Sequence, residues 1–75
     1  MNDKIDFEKV NFEHIRNFGM FYDGTYRIYG FKSIQECLDM RKIIGGTWKW
    51  NEEIGDYIVI NKEHPLWGVI CKMKS

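Results

Sequence analysis

The segment from Ser33 to Gly46 carries a helix start, a helical interior and a helix stop, and it limits what the rest of the chain can be. Ser33-Ile34-Gln35-Glu36 is a capping box: the Ser33 hydroxyl can accept from the Glu36 backbone N–H, and the Glu36 carboxylate can reach back. Ile34, Cys37, Leu38, Arg41 and Ile44 then recur at helical spacing. Gly45-Gly46 ends the run, because glycine takes the left-handed geometry of a helix end without strain. Arg41 and Lys42 lie near the negative end of the helix dipole. One main helix, Ser33–Ile44, is therefore expected.

The flanking segments favour strands. Met20-Phe21-Tyr22 leads into Asp23-Gly24, a dipeptide suited to a two-residue type I′ turn. Thr25-Tyr26-Arg27-Ile28-Tyr29 follows, with Tyr26 and Ile28 on one face and Arg27 and Tyr29 on the other. Thr47-Trp48-Lys49-Trp50 alternates and puts both tryptophans on one face. Asn51-Glu52-Glu53-Ile54-Gly55 reads as a polar loop, and Asp56–Ile60 as an apolar central strand. His64-Pro65 breaks the pattern, and Trp67, Val69, Cys71 and Met73 alternate as a final strand would. Over residues 7–18 we read a short N-terminal helix with Asp6 as cap and Gly19 as stop. An edge strand through Ile5 and Phe7 is the alternative, and a shorter helix capped by Asn11 lies between the two. The expected fold is α+β: a small antiparallel sheet of about four or five strands with the main helix on one face.

A chain of 75 residues holds one domain, and such a domain buries only about 60% of its unfolded surface. Its 5 Phe, 4 Tyr and 3 Trp supply much of the core area. Lys and Arg number 11, as do Asp and Glu, so no net field steers the chain to nucleic acid or to an anionic membrane. The basic side leads through Arg16, Arg27, Lys32, Arg41, Lys42 and Lys49. The acidic side leads through Glu52, Glu53, Asp56 and Glu63. With only Cys37 and Cys71, a charged Met-Asn-Asp-Lys start and no apolar run of membrane length, we expect free thiols and a cytoplasmic protein without a membrane partner.

Candidate chemistry is sparse. Cys37, Cys71, His14 and His64 could number a zinc set, but no two have the local spacing of ligand pairs, and no cofactor is expected. A Cys71 nucleophile with His64 as base lacks an orienting group at any recognisable spacing. Glu52, Glu53 and Asp56 lack the alternating oxygens of a calcium loop. Gly45-Gly46 closes a helix rather than opening one, the wrong polarity for phosphate. We expect no enzyme.

Rings on strands remain. More of them are present than one helix can hide, so one face should offer an apolar patch to another protein or, across a two-fold axis, to a second copy in a homodimer. The expected function is a small protein-binding or regulatory module, for example a phage or mobile-element inhibitor of a host protein. Its expected contacts are Tyr29, Trp48, Trp50 and Trp67, with Glu52, Glu53 and Asp56 as a charged rim. The alternative is a binder of single-stranded nucleic acid, stacking bases on Tyr26, Tyr29 and Trp48 with Arg27 and Lys49 on the phosphates.

Overall fold

Asp23 and Gly24 both take positive φ, 52° and 79°, the pair of left-handed residues that a type I′ turn requires. The turn joins β1 (Gly19–Tyr22) to β2 (Thr25–Ile28), with Tyr22 opposite Thr25 and Gly19 opposite Ile28. A computed structural model describes the protein over residues 5–74. Residues 1–4, which carry the charged start, and residue 75 lie outside that range.

The N-terminal helix expected over residues 7–18 is two pieces. Asp6 accepts from the Glu8 N–H at 3.1 Å and caps one 3₁₀ turn, Phe7–Lys9. Val10 is extended, and Asn11 then accepts from the His14 N–H at 3.0 Å to start α1 (Phe12–Asn17). Asn is a good cap and a poor helix interior, so a second start wins over continuation. Phe18, not Gly19, ends α1, and Gly19 opens the sheet.

The main helix forms where expected, as α2 (Ile34–Ile44) with Ser33 as N-cap and Gly45 (φ 79°) as C-cap. The Ser33 hydroxyl accepts from the Glu36 N–H at 3.2 Å. The Glu36 carboxylate reaches one residue further back than a capping box asks, to the Lys32 N–H at 2.6 Å. The buried stripe is Cys37, Met40 and Ile44, so the expected stripe is rotated and Ile34 is left exposed. After the cap, Gly46 (φ 92°) passes close to β4, and a Cβ there would lie 2.7 Å from Ile58 Cγ2.

A second hairpin joins β3 (Thr47–Asn51) to β4 (Gly55–Ile60). β4 also pairs with β2, so the four strands, all antiparallel to their neighbours, run in the order β1-β2-β4-β3. Asp56–Ile60 is central as expected, and β1 and β3 are the edges.

The expected final strand is a helix, α3 (Leu66–Lys74). Leu66 and Ile70 are buried, with Trp67 and Met73 half-buried beside them, a stripe of helical period. His64-Pro65 is its start signal. The Leu66 N–H donates to His64 Nδ1 at 3.1 Å, and Pro65 immediately precedes the first helical residue, where a missing N–H costs nothing. One apolar cluster joins all three helices to the sheet. It contains Val10, Ile15, Cys37, Met40, Ile44, Leu66 and Ile70 with Tyr26, Ile28, Ile58 and Ile60.

Candidate functional site

Side chains alternate across a strand, so the register assigns each strand residue to a face. Tyr26, Ile28, Ile58 and Ile60 belong to the helix-packed core. Trp48 lies opposite Ile58 and Trp50 opposite Asp56, which puts both tryptophans on the helix side. Phe21, opposite Tyr26, is there too. The other side carries Met20, Tyr22, Thr25, Arg27, Tyr57, Val59, Thr47, Lys49 and Asn51. Tyr57 is buried yet stands outside the core cluster, as its place on this second side requires.

β3 is the most open element of the sheet. Residues 47–50 are all exposed, with Trp48 at 40% and Trp50 at 59% of full accessibility. Trp48 is aimed by its indole N–H, which donates to Asp56 Oδ1 at 3.1 Å. Burial pushes the Cys37 thiol on α2 up to about 11, with the Asp56 carboxylate adding to the rise and Arg41 opposing it. Asp56 is therefore near the first turns of α2, whereas Gly46 after the helix end approaches Ile58 and Ile60. Ile34 at the start of α2 is half exposed.

On the open side Arg27 is the organising cation. Its guanidinium stands 4.0 Å from the Tyr22 ring centre and 5.1 Å from that of Tyr57, within cation–π range. This pair of rings escaped the sequence reading. The alternation of Asp56–Ile60 held the signal, because Tyr57 shares the parity that pairs it to the side of Arg27.

The residues expected to bind a protein do not form one surface. Trp48, Trp50 and Asp56 come together on the helix side of β3. Glu52 and Glu53 lie in the adjoining β3–β4 turn. Trp67 is on α3, its ring edge-on to Phe21 at 5.3 Å, by the opposite edge of the sheet. Tyr29 follows β2 and belongs to a separate cluster: its N–H donates to the Phe18 carbonyl at 2.8 Å, and its own carbonyl meets His14 Nε2 at 2.7 Å. The alternative stacking set divides between faces, with Arg27 and Lys49 on the open side and Trp48 on the helix side. Tyr26 within that set is wholly buried and cannot meet a base.

The histidines are structural. His64 Nδ1 accepts from Leu66, so its Nε2–H donates to the Ile44 carbonyl at 2.7 Å. His14 stacks on Phe31 at 4.8 Å while bonded to Tyr29. Among the described residues no group of three His, Cys, Asp or Glu side chains is placed to hold a metal ion. Cys37 is sealed and held protonated, and Cys71, expected in a strand, is exposed on α3. No described helix is long and apolar enough to cross a membrane.

Comparison with family models, with curated proteins and with solved structures returns no match.

Proposed function

We propose that this protein is a small binding module that captures another protein along β3, with Trp48 and Trp50 as the principal contacts and Glu52 and Glu53 as the charged rim. One observation carries the reading. An edge strand in a domain of this size exposes two tryptophans side by side, and Trp48 is held in place by Asp56. Large rigid rings lose little entropy when they bind, and tryptophan dominates binding energetics at interfaces. Solvent exposure of such rings on an edge strand is also an aggregation hazard unless a partner covers them. Trp67 and Tyr29 are not in this surface, because each packs against its own aromatic neighbour elsewhere. The nucleic-acid reading has less support, since its cations and its rings look in opposite directions.

The test is site-specific photo-crosslinking. A photoreactive phenylalanine at position 50 of the full chain should trap one dominant protein in the source cell, and the same group at exposed Lys62 should not. Trp50→Ala should abolish capture by a group placed at Thr47 while leaving the unfolding midpoint within about 0.5 kcal/mol of the parent, as for an exposed site. Equal trapping from positions 50 and 62, or none from either, would refute the reading. Salt-sensitive retardation of an oligonucleotide by the parent chain would support the nucleic-acid alternative instead.

A further inference from the structure

We infer that the partner enters as an extended segment that adds a strand to β3, and that it places a carboxylate side chain directly opposite Lys49. This rests on β3 being the interface and names the chemistry of what binds there.

The two edges of the sheet are not equivalent. At β1 the outward-facing Gly19 carbonyl is taken by the Lys74 ammonium at 3.2 Å. Phe21 packs against Trp67 at that edge. β3 has no such cover from α3, and its first four residues are exposed. An uncovered edge strand presents a row of N–H and C=O groups that an incoming strand can pair.

The side chains of β3 then state the pattern of that strand. On the helix side stand Trp48 and Trp50; on the open side stand Thr47, Lys49 and Asn51. A strand laid alongside meets rings with every second residue and polar groups with the rest. Directly opposed side chains across an antiparallel pair are about 4.5–5.5 Å apart at Cβ, where opposite charges attract and like charges repel. Arg27 is the other charged strand residue on the open side, and no acidic strand residue shares that side with Lys49. A carboxylate opposite Lys49 is therefore one that only an incoming strand can supply at this register, and the pattern is apolar, acidic, apolar.

The same charge disfavours a second copy. In the two-fold pairing that uses all of β3, Lys49 faces Lys49 of the other copy. Registers centred on Trp48 or on Trp50 avoid this, but they keep only residues 47–49 or 49–51 paired. Single-stranded nucleic acid fits worse, because bases on Trp48 and Trp50 would leave the phosphates on the side away from Lys49 and Arg27.

The experiment is titration of isotope-labelled full chain with two capped synthetic peptides, one with a Val-Glu-Val centre and one with Val-Lys-Val, followed by amide shifts. Val-Glu-Val should move the amides of β3 and bind about fivefold tighter than Val-Lys-Val, the scale of one cross-strand charge pair. In Lys49→Glu the preference should invert, and in Lys49→Gln, which keeps the stem, it should vanish. Equal binding of both peptides at β3 would overturn the carboxylate and leave the Trp48–Trp50 interface standing. Absence of β3 shifts with millimolar peptide, while position 50 still crosslinks a protein, would overturn strand addition alone. Failure of that crosslink as well would remove the interface reading itself. Self-association through the β3 amides, or their titration by oligothymidine, would assign the edge to another occupant and also overturn the inference.

Discussion

Tyr26 shows how one side chain ties the N-terminal segment to the sheet. Its hydroxyl donates to the Ile15 carbonyl at 3.0 Å, inside the core, and its ring meets Phe21 edge-on at 4.8 Å. Gly19 lies across the hairpin with no Cβ because a methyl there would overlap the Tyr26 hydroxyl. Tyr26→Phe keeps the ring and leaves the Ile15 carbonyl without its donor. We expect a loss of about 1–3 kcal/mol in denaturant unfolding, and Gly19→Ala should be worse. Burial, with Tyr29 adding, pushes the Tyr26 phenol from 10.0 up to about 12, and burial pushes the Cys37 thiol from 9.0 up to about 11. Both groups bind their proton more tightly in the folded chain, so the stability they contribute is complete below about pH 9. It falls as the unfolded chain ionises first, and it is gone once pH passes the folded values near 11 and 12. Urea midpoints measured from pH 8 upward should decline through that window, and Tyr26→Phe should decline less. A flat profile would contradict the burial of both groups.

At the scale of elements, His64 is a joint between two helices. Its Nδ1 accepts from the Leu66 N–H at the start of α3, and its Nε2–H donates to the Ile44 carbonyl at the end of α2. One imidazole thus satisfies a terminal donor and a terminal acceptor that would otherwise be orphaned. His64→Ala should cost roughly 2 kcal/mol, the sum of a lost cap and a lost carbonyl partner. His64→Asn restores an acceptor for the cap but not the reach to Ile44, so its midpoint should fall between. Equal midpoints for the parent and His64→Ala would show that the joint bears no strain. This joint is also where the sequence reading failed. Residues 66–73 are apolar at nearly every position, so they satisfy period 2 and period 3.6 alike. The deciding sign was Pro65, which is a break before a strand and a favoured first residue in a helix. α2 was legible because local signals agree: a cap, a stripe and a terminal glycine. The parity of Trp48 and Trp50 was legible for the same local reason. Which side the helices cover depends on the strand order β1-β2-β4-β3, a long-range outcome that no window of residues encodes. Trp67 was consequently grouped with Trp48 and Trp50, although it serves the other edge.

For the whole molecule, Cys37 and Cys71 form a natural pair of probes. Cys71 is exposed on α3, so a thiol reagent should label it at the rate of a free cysteine. Cys37 is wholly buried within the one cluster that includes residues from every helix and from β2 and β4. No single element can leave that cluster without opening it. With the core opening as one unit, the labelling of Cys37 should report the global free energy of unfolding. For a domain of this length that energy is roughly 4–11 kcal/mol, which slows Cys37 by about 10³-fold or more relative to Cys71. The expected result is one fast and one slow modification by mass spectrometry, the slow one tracking the free energy from urea unfolding across Tyr26→Phe and His64→Ala. If Cys37 instead labels faster than global unfolding allows, α2 detaches from β4 on its own. β3 would then lose its rigid backing each time α2 opened. A strand edge that binds by pre-organised rings needs that backing, so the slow labelling of Cys37 is what the proposed binding surface requires.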